Sequence, residues 1–376
     1  MDWYTSRSNE HWLFTYVNPR TMQDSGVYEN GVDCTYEYSF FTELKASGTL
    51  SFIGFPPAED RYLRVYYCAT DDHGDSVQEA VGTFRVEAQS PTWKRDVNTL
   101  TGKVVVDPYQ DGEVSLLSIL KVLDDKVYGM PYTVKAGVGA VAKAKQLAES
   151  LGLSVYADDS GYVMPCDITY EPDKTYLYII NDLLARAGFS SAFPDSYGYV
   201  RYKKYVDPIK RGSVLNFSDD GNGVLYDGVT VENDFRETPN VVAMCYEGED
   251  FTVWAKATNV DPEHKASTLH RAELTLYEAW ANTQEGQTAQ QVLNEMQAAC
   301  DIKLVENSAD ITYIDISHGL IPENLQDGST VEYAGQTWEG SVTNFKMGGG
   351  RPIKIDTRIR HYVEPTFKRK LTGGSF

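Results

Sequence analysis

The stretch Asp173 to Pro208, DKTYLYIINDLLARAGFSSAFPDSYGYVRYKKYVDP, sets the reading of the whole chain. Leu177, Ile180, Leu183, Leu184 and Ala187 recur three to four residues apart, so they share one face of an amphipathic helix. Gly188 follows the last turn, where a left-handed cap needs no Cβ, and the helix is expected to end there. Phe189, Ser191 and Phe193 then alternate with small residues, Asp195 to Gly198 forms a turn, and Val200, Tyr202 and Tyr205 follow as a second strand. A helix that feeds a short hairpin closes a module, and it carries no evident reactive group.

Around this stretch the pattern is mixed. Gly139 to Leu151 (GAVAKAKQLAESL) reads as a helix stopped by Gly152, and Ser115 to Val127 (SLLSILKVLDDKV) as another, with Leu116, Ile119, Leu120, Leu123 and Val127 on one face. Short strands at Tyr132 to Lys135 and Leu153 to Ala157 lie between them, which makes residues 96–208 a small α/β module. On the amino-terminal side, residues 1–95 read as strands: Val32 to Phe41, Leu44 to Ile53, Tyr62 to Ala69 and Gly82 to Val86, punctuated by Gly, Pro and Asp. Beyond it, residues 209–376 are again mostly strands, at Gly228 to Val231, Asn240 to Tyr246, Thr252 to Thr258, Glu273 to Tyr277, Ile311 to Ile316, Thr330 to Tyr333 and Ile353 to Tyr362. One helix, about Gly286 to Cys300, interrupts them. The expected fold is mainly β with α+β character: two β-barrel-like domains with a small α/β module between or inserted.

Composition narrows the function. With 54 acidic and 34 basic residues the net charge is -20, which argues against a protein that grips a phosphate backbone. It leaves open a surface past which nucleic acid slides without sticking. No run of 18 apolar residues offers a membrane span, and MDWYTSRSNEHW lacks the basic-then-apolar pattern of a secretory signal, so the cytoplasm is the expected site of synthesis. The five cysteines, Cys34, Cys68, Cys166, Cys245 and Cys300, are scattered without a CxxC pair, which points to buried thiols and not to zinc or a disulfide framework.

Candidate motifs have ordinary readings beside the functional ones. Gly137, Gly139 and Ala142 fit G-x-G-x-x-[GA] between a strand and a helix, with Asp158 at the distance of a ribose-binding acid. The strand is short and follows Pro131, and no further βα repeat succeeds it, so a helix that starts at a glycine loop is the expectation. Asp219, Asp220, Gly221, Asn222 and Gly223 resemble a calcium loop but lack its acidic spacing and twelfth-position glutamate. His11, His73, His264, His270, His318 and His361 are isolated, and pairs such as Asp71 with Asp72 and Asp124 with Asp125 read as solvated faces. Gly348 to Pro352 and the basic tail from Lys368 to Gly374 read as a loop and a frayed terminus, or as segments that order on a partner. Neither a catalytic set, a cofactor site nor a metal site is expected.

The order of modules and several phrases resemble the tail hub, or baseplate hub, proteins of long-tailed bacteriophages and prophages, a family shared with contractile injection systems. SGTLSFIG (Ser47 to Gly54), YLRVYY (Tyr62 to Tyr67) and VGTFRV (Val81 to Val86) resemble the family's amino-terminal barrel strands. YTVKAGVGAVAKAKQLAESLG (Tyr132 to Gly152) resembles the loop and helix that open its middle domain, and Ile179 to Pro208 the helix-hairpin that closes it. VENDFRETPNVV (Val231 to Val242) and ATNVDP (Ala257 to Pro262) resemble the return into the second barrel. The resemblance implies a homotrimeric ring at the tail tip that closes the tail tube, bound to a tube or distal tail protein, the tape measure protein and a central fibre or spike. DNA would transit an acidic channel without specific binding. Two other classes are weighed beside it: a tail-associated cell-wall hydrolase, which needs a converging acid, base or metal set, and a carbohydrate- or receptor-binding tail protein, with Trp254, Trp280 and Trp338 as stacking candidates.

Overall fold

Alternation builds the first sheet. In Ala46–Gly54, Ala46, Leu50 and Phe52 are buried while Ser47 and Ile53 face out, the period of a half-buried strand. The computed structural model describes residues 7–40, 42–58, 61–71, 73–87, 94–97, 104–107, 110–206, 212–219, 225–226, 228–233, 238–248, 250–280, 286–308, 311–319, 328–348, 354–362 and 367–375. By its internal contacts the chain divides into two units, Met1–Gly228 with Ile316–Thr337 and Val342–Arg358, and Val229–Asp315 with Trp338–Ser341 and Ile359–Phe376.

The first unit opens with β1 (Arg7–Val17), β2 (Asp24–Val27), β3 (Gly31–Ser39), β4 (Ala46–Gly54), β5 (Tyr62–Asp71), β6 (Ser76–Val86), β7 (Lys94–Val97), β8 (Val104–Asp107) and β9 (Gln110–Ser118). Antiparallel pairing gives the order β3-β4-β9-β6-β5-β1-β2, and β7 with β8 forms a separate ribbon. Inward side chains from these strands, among them Phe14, Tyr36, Leu50, Leu63, Val65, Phe84 and Leu116, merge into one core. The sheet therefore curls on itself. At the curl, Gly31 leaves room for the Phe14 ring, which a Cβ there would strike. Hydrogen bonds do not close the strand order into a ring among the described residues. Burial raises the thiol of Cys34 and the phenols of Tyr36 and Tyr38, so these groups stay neutral in the core.

The module follows as α1 (Lys121–Asp124), β10 (Tyr132–Val134), α2 (Ala140–Ser150), β11 (Val155–Ala157), β12 (Ile168–Tyr170), α3 (Tyr176–Arg186), β13 (Phe193–Pro194) and β14 (Val200–Tyr202). Helix α3 is the expected one: Leu177, Ile180, Leu183 and Leu184 are fully buried, Thr175 caps its start through the Tyr178 N–H at 3.1 Å, and Gly188 follows with φ 74°. The hairpin also forms, but β13 is only two residues long, and β14 pairs in parallel with β11, a contact that no local pattern foretells. The expected helix over Ser115 to Val127 is corrected. Strand β9 runs through Ser118, paired with both β4 and β6, and only the single turn of α1 is helical. The apparent helical period arises because Val114 and Leu116 enter the sheet core whereas Ile119, Leu120 and Leu123 enter the module core.

After the module come β15 (Ser213–Ser218), β16 (Thr230–Asn233), β17 (Val241–Glu247), β18 (Thr252–Asn259), β19 (Thr275–Ala279), α4 (Ala289–Ser308), β20 (Ile311–His318), β21 (Gly328–Tyr333), β22 (Gln336–Met347), β23 (Ile355–Tyr362) and β24 (Arg369–Ser375). In the first unit the end of β22 pairs with β3 and stacks Phe345 on Tyr38 at 6.0 Å, and β15 runs parallel to β21. The second unit is built on the four-stranded sheet β19-β17-β18-β24 with α4 on one face. Helix α4 extends beyond the expected Cys300 because Val292, Met296, Cys300 and Leu304, four apart and all fully buried, continue the same face. The tail expected to fray instead forms β24, paired along β18 from Ser375 opposite Val253 to Arg369 opposite Asn259. Gly373 permits this approach, since a Cβ there would lie 2.6 Å from Leu293 Cδ1 of α4.

Candidate functional site

The module is held to the first sheet by a buried arginine. In β5, Leu63, Val65 and Tyr67 point into the sheet core, so alternation sends Arg64 to the opposite face. Arg64 is 3% exposed and its guanidinium donates to Asp24 Oδ1 at 2.7 Å, Met22 O at 2.7 Å, Tyr197 O at 2.9 Å and Thr83 Oγ1 at 3.1 Å. It also lies 5.1 Å from the centre of the Tyr197 ring, and Thr83 Oγ1 donates in turn to Ser196 O at 2.9 Å. The hairpin turn at Asp195 to Gly198 is thus one point at which the module is fastened to the first sheet, beside the Arg85–Asp125 ion pair. Asp195 shapes that turn by accepting from the N–H groups of Tyr197 and Tyr199 at 3.0 and 2.9 Å and by pairing with Arg201. Gly198, φ 84°, completes it against Thr83 and Met22.

The second unit presents a sheet covered by a helix on one side. Val253, Ala255 and Ala257 of β18 and Val242 and Met244 of β17 meet α4. The alternate residues, Trp254, Lys256 and Thr258, are half-buried on the other face, where Tyr277 stands opposite Ala243 and is 64% exposed. Lys256 pairs there with Glu273 at 2.8 Å. At the end of β18 the phrase ATNVDP forms a hydrogen-bonded loop. Asp261 accepts from the N–H groups of Glu263 and Lys368, each at 2.9 Å, and these bonds hold its carboxyl below the usual carboxylate range. His264 Nδ1 accepts from Ala266 N–H at 3.2 Å, which assigns the proton to Nε2, and its ring tilts against Phe367.

No protein-family model matches the chain, and comparison with curated proteins finds no match. Solved structures do match. A tail protein from Neisseria meningitidis MC58 superposes with a TM-score of 0.61 at 12% identity, over 93% of this chain and 97% of that one. The 43 kDa tail protein of prophage MuSo2 from Shewanella oneidensis gives 0.60 at 11% identity, over 93% and 98%. Prophage tail protein gp18 from Listeria monocytogenes EGD-e gives 0.51 at 12%, over 92% and 94%. The chain has the fold of these tail proteins.

Within the tail-protein fold the sequence-level candidates take structural places. Gly137 N–H donates to Met164 O at 2.8 Å and Ala140 N–H to Tyr162 O at 3.3 Å, so backbone donors of the glycine loop are engaged by the chain. Asp158 accepts from Lys204 N–H at 3.0 Å, beside β14. Asp219 Oδ2 accepts from Ala334 N–H at 2.8 Å, while Asp220 to Gly223 lie outside the described residues, as do Asp72, Phe235 and Gly349 to Pro352. Among the described residues no three His, Cys, Asp or Glu side chains group as metal ligands, and no helix is long and apolar enough to cross a membrane. Cys34, Cys68 and Cys300 are buried, Cys245 is half-buried and Cys166 exposed. Trp254 lies half-buried on the sheet face opposite α4 and Trp280 packs at the margin of the α4 core. Sequence reading passed over Arg64. A lone arginine in the otherwise apolar YLRVYY was the available signal.

Proposed function

We propose that the chain is a structural tail hub, three copies of which form a ring that closes a phage tail tube and joins it to a central fibre or spike. The observation that carries this reading is the match to tail proteins along 93% of this chain and nearly the whole length of theirs. The face of the β19-β17-β18-β24 sheet opposite α4, with the exposed Tyr277, supplies surface for a neighbouring copy. In this reading the work is mechanical and not enzymatic. The barrel-like parts, 1–95 and 209–376, make the ring and the module of 96–208 decorates it. A net charge of -20 per copy supports a channel through which DNA passes without specific binding. The partners are the tube or a distal tail protein, the tape measure protein and the fibre or spike, at the virion tail tip.

Mass measurement by analytical ultracentrifugation tests the ring. A trimer is expected, alone or once the tube-end protein is added. A monomer at every concentration, with no density for the chain at the tail tip of virions, overturns the hub. Release of fragments from purified cell wall by the isolated chain would overturn the non-enzymatic role.

A further inference from the structure

The sheet of the second unit ends on β19 at one side and β24 at the other, and no further strand among the described residues pairs with either edge. Alternation along each strand decides which backbone groups are spare. Val260 N–H donates to Lys368 O at 3.0 Å, so in β24 the even-numbered residues face β18, and Arg369, Leu371 and Gly373 turn their N–H and C=O groups outward. Val241 N–H donates to Leu274 O at 3.3 Å and Trp280 N–H to Cys245 O at 2.8 Å, so in β19 the even-numbered residues face β17, and Thr275, Tyr277 and Ala279 turn theirs outward. Neither strand contains a proline or a register shift, two of the devices that keep exposed edges from pairing. Strand β19 runs parallel to β17, while β18 is antiparallel to both β17 and β24, so β19 and β24 point the same way. The start of β24 is basic, with Lys368, Arg369 and Lys370 exposed, and the start of β19 lies just past Glu273, whose side chain is 52% exposed.

We propose that β24 of one copy adds in parallel to β19 of the next, so that the sheet runs on from copy to copy. The occupant of each edge is a second copy of this chain, because the two edges offer spare groups in the same direction and parallel pairing sets the basic start of one strand beside the acidic lead-in of the other. Main-chain bonds hold the contact and the charges fix its register. A contact between two different edges is heterologous, and it closes into a ring when the rotation between copies divides a full turn. Closure at three copies rests on the hub reading, whereas the pairing of the edges does not.

The test is sedimentation of the full chain as wild type, Leu371→Pro and Tyr277→Pro. Each substitution removes an N–H that points away from its own sheet, so both variants are expected to keep the wild-type circular dichroism and to associate about tenfold more weakly or worse. Each also retains one intact edge, so an equimolar mixture of the two is expected to form a 1:1 dimer and nothing larger. Hydrogen exchange reads the same edges without substitution: in the wild type the amides of Leu371, Gly373, Tyr277 and Ala279 are expected to slow on association, while those of Lys370, Thr372 and Glu278 are slow throughout. A trimer that persists in both variants, or that forms without slowing the outward amides, overturns the edge pairing and leaves the ring reading standing. Loss of association in Leu371→Pro but not in Tyr277→Pro, the pattern of β24 paired with itself, also overturns it. An assembly of another copy number that both variants abolish supports the edge pairing and overturns the ring of three. Absence of any association overturns both.

Discussion

Arg64 holds a guanidinium where water is nearly excluded, and it is tolerable there because each donor direction finds an oxygen. Replacing it with methionine keeps the apolar stem but strands the carbonyls of Met22 and Tyr197. A loss of about 2–4 kcal/mol is expected in denaturant unfolding, from several charged hydrogen bonds removed at once. Hydrogen exchange is expected to quicken first at Asp195 to Gly198, the turn that Arg64 holds; uniform acceleration across the module would contradict a local clamp. Lys45 behaves differently. It has φ 63°, is 5% exposed, donates to Phe40 O, and burial pulls its ammonium down to about 8. The folded state therefore binds this proton less tightly than the unfolded chain, so the cost of burying the charge is full below pH 8 and fades as pH rises toward the unfolded value. The difference in stability between wild type and Lys45→Met is expected to shift in favour of the wild type between pH 7 and 9.5. A pH-independent difference would refute the assignment.

At the scale of elements, the loop after β18 ties the last strand in place. Asp261 joins Glu263 and Lys368 through their N–H groups, so one carboxylate links the loop to the lead-in of β24. Its folded value is depressed, so its contribution is complete above the unfolded carboxylate range, near pH 4, and is lost as pH falls through the depressed folded value. Asp261→Asn keeps an acceptor but only one oxygen of that kind. Exchange at the amides of Glu263 and Lys368 is expected to rise in this variant and to lose its acid sensitivity. An unchanged pattern would remove Asp261 from that role. The element boundaries that were legible, such as α2 and α3, had local causes: apolar spacing, and glycine where φ is positive. The end of strand β9 was not, because Val114 and Leu116 enter the sheet core while Ile119, Leu120 and Leu123, just beyond the strand, enter the module core, and that division is invisible along the chain.

For the whole molecule, charge opposes association. Each copy carries -20, so the proposed ring would bring like charges together and have to overcome repulsion that salt screens. If the proposed trimer forms, its association is expected to strengthen from low to physiological salt in sedimentation runs, whereas a ring held mainly by ion pairs would weaken. The sequence by itself determined the β-rich composition, the helix-hairpin that closes the module, and the order of phrases that resembled tail hubs, because these rest on local periodicity and turn chemistry. Tertiary structure alone decided the parallel pairing of β11 with β14, the docking of β24 on β18, the split of the Ser115 to Val127 run and the burial of Arg64 under the module's turn. Each of these depends on residues far apart in the chain, 133 positions in the case of Arg64 and Tyr197. A strand edge or a buried cation is satisfied by whatever the fold brings to it, and the local pattern does not say what that will be.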